Sequence, residues 1–281
     1  MLPKLFVFAY SEEAQPFLAI YPSKTLFQLK NIQCLLNEKE NIYTLIAGSG
    51  FENVVVALSV FFERFHHLKN NIICFNIGIA GSYGKSLYSI HYASKITNYH
   101  TLKSFYPDIF IKTAMSELIS ISFPADRKIM KQYPEALFDM EAYSYATTCR
   151  YFVKNHQIHC IKFVSDNDGK ISDMFYLLEQ YENKTKDILN LVQQVEQKVE
   201  KFFTYKISKN IDTSFLQEFS RKMHLTFSQQ NQLNKAIQFY LHQHTNEDIE
   251  NILNSDLSAE ITSKKERNQH FQQLLNKLYN V

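Results

Sequence analysis

The few glycines of this chain constrain its fold more than any other feature. Six glycines occur among 281 residues, and each lies in or shortly after an apolar segment with the composition of a β-strand. Gly48 and Gly50 follow IYTLIA, Gly78, Gly81 and Gly84 follow IICFNI, and Gly169 follows IHCIKFV. A glycine at a strand end lets the backbone turn tightly or approach a ligand closely. Because ligands of α/β sheets bind outside the carboxyl ends of the strands, the glycines predict one site built from several loops.

The segments between these strands have the spacing of helices. Residues 53–67 (NVVVALSVFFERFHH) show the apolar spacing of a buried helix, and residues 139–154 (DMEAYSYATTCRYFVK) alternate apolar and small side chains with a polar face. Alternating strands and helices, with near-continuous apolar strands, indicate a sheet that is covered on both faces. We therefore predict an α/β fold, a three-layer domain with a central mixed, largely parallel sheet flanked by helices.

After residue 169 the chain contains neither glycine nor proline, and apolar residues recur at helical spacing. We predict helices over residues 173–203, 214–223, 228–242, 246–254 and 263–280, with residues 205–214 as a linker and Asp212 or Thr213 as a helix cap. This divides the chain into an α/β domain (1–205) and a helical C-terminal extension (206–281). An apolar stripe of the extension contains Leu233, Ile237 and Tyr240. The extension either contacts protein or nucleic acid or packs on the main domain or on a second copy, and the lack of a basic stripe favours packing.

The segment NIGIAGSYGKS (76–86) ends in Gly-Lys-Ser, as the phosphate loops of nucleotide-binding proteins do. A phosphate loop needs four residues between its first glycine and Gly-Lys-Ser, whereas Gly78 and Gly84 enclose five. A phosphate loop also runs directly into a helix. Residues 87–96 (LYSIHYASKI) are instead rich in aromatic and β-branched residues, which favour a strand. We therefore predict a loop followed by a strand, and the spacing argues against a phosphate site.

Charge and cysteine content argue against several classes of partner. The net charge is only +2 with 21% charged residues, so no strong basic field predicts binding to nucleic acid. No segment reaches the roughly 18 apolar residues of a membrane helix, and the apolar run over residues 5–10 is too short for a signal peptide. We expect a cytoplasmic protein with no membrane partner. The four cysteines stand singly, which favours neither a disulfide framework nor a zinc site. In HQIHC (156–160), His159 and Cys160 point to opposite sides of a strand, which argues against a metal site there.

Acidic residues occur at three of the predicted element boundaries. The first strand is followed by Glu12 and Glu13, a helix start carries Asp139 and Glu141, and the strand IHCIKFV is followed by Asp166 and Asp168. A single carboxylate of this kind more often caps a helix. Three clusters at one sheet edge can instead bind a metal, perform acid–base chemistry or hold sugar hydroxyls.

Five segments carry a resemblance to a known family. They are, in chain order, AYSEEA, GSGFENVVVAL, NIGIAGS, DMEAYSYA and KFVSDNDG, and together they span about residues 4–200. In these segments the sequence resembles the nucleoside phosphorylase/nucleosidase superfamily, and within it the methylthioadenosine/S-adenosylhomocysteine nucleosidases. The resemblance implies a small-molecule nucleoside substrate, hydrolysis of its N-glycosidic bond, a homodimer, and no metal or organic cofactor.

The resemblance also implies roles for particular residues. Glu13 activates the attacking water, and Asp166 protonates N7 of the leaving purine while Ser165 orients it. The substrate-binding residues that it implies are Glu141 at the ribose 2′-hydroxyl, Met140 at the ribose face, Ala80 and Gly81 beside the sugar, and Phe123 stacked on the purine. These residue types suit the chemistry, because an oxocarbenium-like ribose and a departing purine need a base, an acid and a stabilising negative charge.

Two alternatives stay open at the level of the sequence. A phosphorylase would hold phosphate with arginine forks or backbone donors, but the first arginine is Arg64 and the first strand is followed by two glutamates, so water is favoured as nucleophile. The sequence also departs from the family pattern, for example at Ile79, where a small hydroxyl residue is common. A different nucleoside, such as futalosine, and a nucleoside-binding protein without turnover therefore remain as further interpretations.

Overall fold

The computed structural model describes residues 2–208, 213–226, 229–230, 232–233, 236–237, 246–257 and 264–279. The chain divides into two compact units, Met1–Glu200 and Lys201–Val281. The division lies five residues before the boundary that we predicted from the sequence. Within the described ranges, no helix is both long and apolar enough to cross a membrane.

Ten strands and eight helices are described. The strands are β1 (Lys4–Phe8), β2 (Lys24–Leu29), β3 (Ile32–Asn37), β4 (Ile42–Ile46), β5 (Ile73–Gly81), β6 (Ile90–Asn98), β7 (Ser104–Phe105), β8 (Met115–Ser120), β9 (Leu137–Asp139) and β10 (Ile158–Asp166). The helices are α1 (Ser11–Ile20), α2 (Phe51–Arg64), α3 (Arg127–Met130), α4 (Ala142–Cys149), α5 (Met174–Ser208), α6 (Thr213–Lys222), α7 (Asn246–Leu257) and α8 (Lys264–Tyr279).

All ten strands form one mixed sheet in the order β10-β6-β8-β9-β5-β1-β4-β3-β2, with β7 paired to β6. Strand β10 also pairs with β5, so that β10, β6, β8, β9 and β5 close into a ring from which the other strands extend. Five pairings between described strands are parallel and five are antiparallel. The predicted α/β class and mixed sheet are therefore confirmed, whereas a largely parallel sheet is not.

Helices cover both faces of the sheet. Successive side chains of a strand point to opposite faces, and in β1 all five side chains are buried, so both faces there need a cover. Leu5 and Val7 of β1 belong to the buried core that also contains residues of α2 and α4. Phe6, between them, contacts Phe17 of α1, and Phe17 contacts Tyr181 of α5. Helices α1 and α5 therefore lie on one face of β1, and α2 and α4 on the other.

Several predicted elements differ from the structure at their boundaries. Helix α5 continues to Ser208 and α6 begins at Thr213, so both helices extend into the predicted linker over residues 205–214. Two other differences concern the α/β part of the chain. Residues 139–154 do not form one helix, because Leu137–Asp139 pairs with β8 and α4 begins only at Ala142. The strand predicted over residues 87–96 begins at Ile90, and the turn before it holds Tyr88 at a positive φ of 65°. In both cases strand pairing, which local sequence does not specify, decides where the element begins.

The described part of the second unit is mainly helical and contains an apolar core of its own. Leu233 and Ile237 of the predicted stripe are buried in that core, together with residues such as Phe219 and Phe271. Tyr240 and Asp212, and most of the helix predicted over residues 228–242, lie outside the described residues. Thr213 is the first residue of α6.

Candidate active site

A cavity of about 230 Å³ lies at the carboxyl ends of β1, β5 and β10. Its wall contains all eight residues that the sequence analysis selected, Glu13, Ala80, Gly81, Phe123, Met140, Glu141, Ser165 and Asp166. These residues come from segments that are up to about 150 residues apart in the chain, and the strand order brings them together. Their location at the end of the sheet agrees with the position of the glycine-rich segments.

Glu13 is held deep in the wall of the cavity by backbone donors. Helix α1 begins three residues after β1, and the Glu13 carboxylate accepts hydrogen bonds from the N–H groups of Ala9 (3.0 Å) and Tyr10 (3.1 Å) on Oε2. Its Oε1 accepts a third bond from the N–H of Ile79, at 2.9 Å. A Cβ at Gly78 would lie 2.6 Å from this Oε1, so only glycine at position 78 leaves room for the carboxylate.

The surroundings of Glu13 raise its pKa to about 7. Burial is the main cause, because a low-dielectric environment disfavours the charged form, and the negative charge of Glu141 adds to the effect. The positive charge of Lys162 and the backbone hydrogen bonds act in the opposite direction. A carboxyl group with this pKa exchanges protons readily near neutral pH, as a general base must.

Glu141 and Asp139 are neighbours in sequence, but the structure gives them different surroundings. Asp139 accepts bonds from the Ser120 hydroxyl (2.6 Å) and from the N–H of Ala142 at the start of α4 (2.9 Å). Glu141 instead points to Ser49 and Gly50, and both bonds, at 2.9 and 2.7 Å, reach its Oε1. Asp139 therefore accepts the first N–H of α4, whereas Oε2 of Glu141 has no hydrogen-bond partner among the described residues. Burial and then the charge of Asp139 raise the pKa of Glu141.

Asp166 reaches the cavity from an irregularity at the end of β10. The pairing with β5 shifts register between Val164 and Asp166, so that Ser165 is an extra residue. Bulges of this kind redirect side chains next to active sites. The Asp166 carboxyl group accepts bonds from the Ser165 hydroxyl on Oδ1 and from the N–H of Gly169 on Oδ2, both at 2.7 Å. A Cβ at Gly81 would lie 3.1 Å from Oδ2, so glycine also makes room for this carboxyl group.

Lys162 is a site residue that the sequence analysis missed. Its side chain is 3% exposed, and its ammonium group lies 3.0 Å from Asp139 Oδ2. Burial alone lowers the pKa of Lys162, but the charges of Asp139, Glu141 and Glu13 outweigh it and hold the pKa above the usual value. The signal was a single charged residue inside the apolar segment IHCIKFV, because a lysine is almost never fully buried without a charged partner.

The remaining wall of the cavity is mostly apolar. Phe123 is 42% exposed, so one part of its ring is free to contact a ligand. Ile121, Met130 and Phe138 line the wall beside it and are buried. Such a surface suits a flat aromatic ring, which gains from burial of apolar area and from stacking.

Two of the acidic residues that we grouped with the site do not line the cavity. The exposed Glu12 accepts a bond from the Ser11 hydroxyl at 2.9 Å, and the exposed Asp168 accepts one from the N–H of Lys170 at 3.2 Å. Both perform the local turn or capping role that is common for such carboxylates. Among the described residues, no group of three His, Cys, Asp or Glu side chains is arranged to hold a metal ion.

Comparisons with known proteins show similarity at the level of the fold. No family model matches the sequence, and no curated protein matches it. The chain resembles a solved structure of a Helicobacter pylori 5′-methylthioadenosine/S-adenosylhomocysteine nucleosidase mutant with 5′-methylthioadenosine in its active site. The TM-score is 0.58 at 15% identity, covering 69% of this chain and 99% of the other.

Two further structures match over the same share of the chain. The Neisseria meningitidis 5′-methylthioadenosine/S-adenosylhomocysteine nucleosidase, in complex with methylthio-immucillin-A, gives a TM-score of 0.55 at 18% identity over 69% of this chain and 98% of that one. A futalosine hydrolase mutant of Helicobacter pylori gives 0.57 at 15% identity over 69% of this chain and 100% of that one. About 69% of this chain therefore has the α/β fold of these nucleosidase structures.

Proposed function

We propose that this protein hydrolyses the N-glycosidic bond of a purine nucleoside and releases the free base and a ribosyl product. The observation that carries the proposal is the presence of three carboxyl groups, those of Glu13, Glu141 and Asp166, in the wall of one cavity. Bond cleavage creates positive charge on the ribose, and the purine leaves well only when a ring nitrogen gains a proton. A base for water, an acid for the purine and a negative charge beside the sugar are the three groups that this reaction needs.

In the proposed reaction, Glu13 is the base that acts on water. A carboxylate has about four lone-pair sites, and three of those on Glu13 accept backbone N–H groups, which leaves one for the water. The water oxygen forms a bond to ribose C1′ and its proton passes to Glu13. The bond between C1′ and the purine breaks, and its electron pair leaves with the base. Asp166 supplies the proton that N7 of the purine takes up, and solvent restores both carboxyl groups.

The other site residues hold the substrate in this proposal. Oε2 of Glu141 accepts a hydrogen bond from the ribose 2′-hydroxyl, and its charge favours the cationic ribose. Met140 lies against the ribose, the backbone at Ala80 and Gly81 borders the sugar, and Phe123 stacks on the purine. Ser165, bonded to Asp166, orients the acid.

Water is a better nucleophile for this site than phosphate. The described lining residues include neither arginine nor lysine, and Lys162 behind them is bonded to Asp139. Glu13 and Glu141 would repel a phosphate dianion at the place where it must approach the ribose. Hydrolysis is therefore favoured over phosphorolysis.

The substrate class that we propose is a nucleoside like 5′-methylthioadenosine or S-adenosylhomocysteine. The apolar wall around Phe123, Met130 and Phe138 suits a purine ring and an uncharged thioether. Futalosine is the alternative substrate, in line with the name of one structural neighbour. A cytoplasmic location and a homodimer stay predictions from the sequence.

The test is to incubate the protein with 5′-methylthioadenosine, S-adenosylhomocysteine, futalosine, adenosine and inosine, with and without phosphate, and to measure free base by chromatography. Base release that does not depend on phosphate supports the proposal. Phosphate-dependent release would instead identify a phosphorylase, and binding without release would identify a nucleoside-binding protein.

Two neighbouring glutamates provide a matched pair of variants for this assay. Glu13→Gln removes the proposed base, whereas Glu12→Gln changes the exposed carboxylate one residue earlier that bonds only to Ser11 among the described residues. We expect base release to fall about 100-fold or more in the first variant and to stay near the wild-type rate in the second. Equal rates in the two variants would contradict the role of Glu13.

A further inference from the structure

Residues 82–89 form the loop that contains the Gly-Lys-Ser segment. Backbone hydrogen bonds join this loop to the bulge that carries Asp166. At its start, the N–H of Ser82 donates to the carbonyl of Asp166 at 2.8 Å. At its end, the N–H of Tyr88 donates to the carbonyl of Val164 (2.9 Å), and the N–H of Val164 donates to the carbonyl of Ser89 (3.0 Å). The loop therefore holds the chain on both sides of Ser165.

Asn167 ties the middle of this loop to the same bulge. Its side-chain Nδ2 donates to the carbonyl of Ser82 and, at 2.9 Å, to the carbonyl of Lys85. One amide group thus supplies donors to two loop carbonyls that come from residues three apart. A side-chain amide has two N–H donors, so both bonds can exist together.

The outer side of the loop is also fixed. A Cβ at Gly84 would collide with the carbonyl oxygen of Pro134, so glycine permits the close contact between the two segments. The ammonium group of Lys85 lies 2.6 Å from the carboxylate of Glu135, and the Ser82 hydroxyl donates to the carbonyl of Ala136 at 2.8 Å. The glycine and lysine that suggested phosphate binding instead contact a neighbouring segment of the protein.

We propose that Asn167 is a positioning residue for Asp166, and that loop 82–89 is the rigid support through which it acts. This inference rests on the proposed function of Asp166 as the acid. Asp166 follows an extra residue in its strand, where ladder pairing is interrupted and the backbone is less constrained. The bonds of Asn167 to the loop, and of the loop to Asp166, replace the missing pairing. A catalytic group that is displaced by about 1 Å loses much of its effect, so this support matters for turnover.

The variant Asn167→Ala tests the proposal with two substrates. With 5′-methylthioadenosine, whose base must be protonated to leave, we expect kcat to fall about tenfold and KM to change less than threefold. With 4-nitrophenyl riboside, whose leaving group departs without a proton, we expect the rate to stay within about twofold of the wild type. Equal losses on both substrates, or no loss on either, would overturn the role of Asn167 in positioning the acid.

Asn37→Ala is the matched control, because Asn37 also joins loop backbone groups but lies at the end of β3. Its Nδ2 donates to the carbonyl of Pro22 at 2.7 Å, and its Oδ1 accepts from the N–H of Glu40 at 2.8 Å. We expect this control to lose stability without any change in the ratio of the two substrate rates. A similar change of that ratio in Asn37→Ala would count against the proposal.

Amide hydrogen exchange separates this inference from the proposed function. In Asn167→Ala, the amides of Ser82 and Gly169, which donate to Asp166, are expected to exchange about tenfold faster than in the wild type, with no change in Asn37→Ala. Unchanged exchange at both amides would overturn the inference even if the enzyme is active. If the wild type releases no base from any nucleoside, the proposed function fails. Faster exchange in Asn167→Ala would then still show that Asn167 holds the backbone around Asp166.

Discussion

Strand β10 carries two buried polar networks, one at its middle and one near its beginning, and they differ in charge. At the middle, the ammonium group of Lys162 bonds to Asp139, and its charge acts on Glu13 and Glu141. Near its beginning, His159 is fully buried and lies 2.6 Å from the Tyr92 hydroxyl through Nδ1 and 3.1 Å from the carbonyl of His156 through Nε2. The carbonyl can only accept, so Nε2 donates and Nδ1 accepts from the tyrosine.

The Lys162 network can act on a ligand, whereas the His159 network only joins parts of the fold. Burial lowers the pKa of His159 to about 3, so its ring is neutral, and both ring nitrogens have partners within the protein. The Lys162 network contains buried charges, which cost free energy unless they are paired. All three of its acidic residues, Glu13, Asp139 and Glu141, line the cavity. The histidine segment HQIHC thus contributes structure, and Lys162, two residues after it, contributes to the site.

The largest expected effect concerns the cavity end of β10. Asp166→Asn keeps the shape of the side chain but removes the proton that the purine needs. We expect kcat for base release to fall roughly 10²–10⁴-fold, while the midpoint of urea unfolding changes little. The measurement is steady-state release of adenine, with unfolding followed by circular dichroism. Full turnover in this variant would show that Asp166 is not the acid of the reaction.

Breaking each network at one member should cost different amounts of stability. Lys162→Met leaves Asp139 and Glu141 buried without their cation, and we expect a loss of about 3–5 kcal/mol in the free energy of unfolding. Tyr92→Phe leaves a neutral ring nitrogen of His159 without a donor, and we expect about 1–3 kcal/mol. Urea unfolding of both variants at pH 7 checks the order. A larger loss in Tyr92→Phe would contradict our account of the charged network.

The pH dependence of turnover tests the proposed role of Glu13. As a general base it must be ionised, so we expect kcat/KM to rise with pH through a midpoint near 7. Because the charge of Lys162 lowers the pKa of Glu13, this midpoint should move upward in Lys162→Met if the variant folds. Glu13→Gln should remove the rise altogether from any residual activity. A rate independent of pH between 5 and 8 in the wild type would argue against Glu13.

The smallest expected effect is the opposite pH dependence that Glu13 of α1 and His159 of β10 give to the stability of the fold. The native state raises the pKa of Glu13 from 4.5 to about 7, so it binds more protons than the unfolded chain, and this contribution to stability falls as pH rises from 4.5 to 7. His159 has a native pKa of about 3 against 6.5, so the unfolded chain binds more protons between these values and stability rises with pH.

Two variants separate these contributions. In Glu13→Gln the falling contribution is absent, so the free energy of unfolding should rise more steeply between pH 4.5 and 6.5 than in the wild type. In His159→Gln the rising contribution is absent, and the slope should become less positive. Urea unfolding at half-unit pH intervals measures both slopes. Identical slopes in all three proteins would show that the two groups do not have shifted pKa values in the native state.

The sequence by itself determined the fold class, and its resemblance to a known family supplied the eight residues that line the cavity. Glycine at strand ends and carboxylates after apolar strands are local patterns, and they reflect local needs. Gly78 leaves room for the carboxylate of Glu13, and Gly81 for the methyl group of Met130 and the carboxyl group of Asp166. Strand ends are where a sheet exposes side chains to a ligand. These patterns can therefore be recognised in the sequence without knowing which distant residues each segment contacts.

Only the tertiary structure decided which polar residues work together. The ring of strands that β10 closes with β5 places Lys162 beside Asp139. In the folded chain Asp166 lines the cavity, whereas Asp168, two residues later, is exposed. The fold also brings the loop with the Gly-Lys-Ser segment into hydrogen-bond contact with the bulge at Asp166 and with Asn167. Burial and charge pairing arise from contacts between distant segments, so the protonation behaviour of Glu13, Lys162 and His159 is a property of the folded chain.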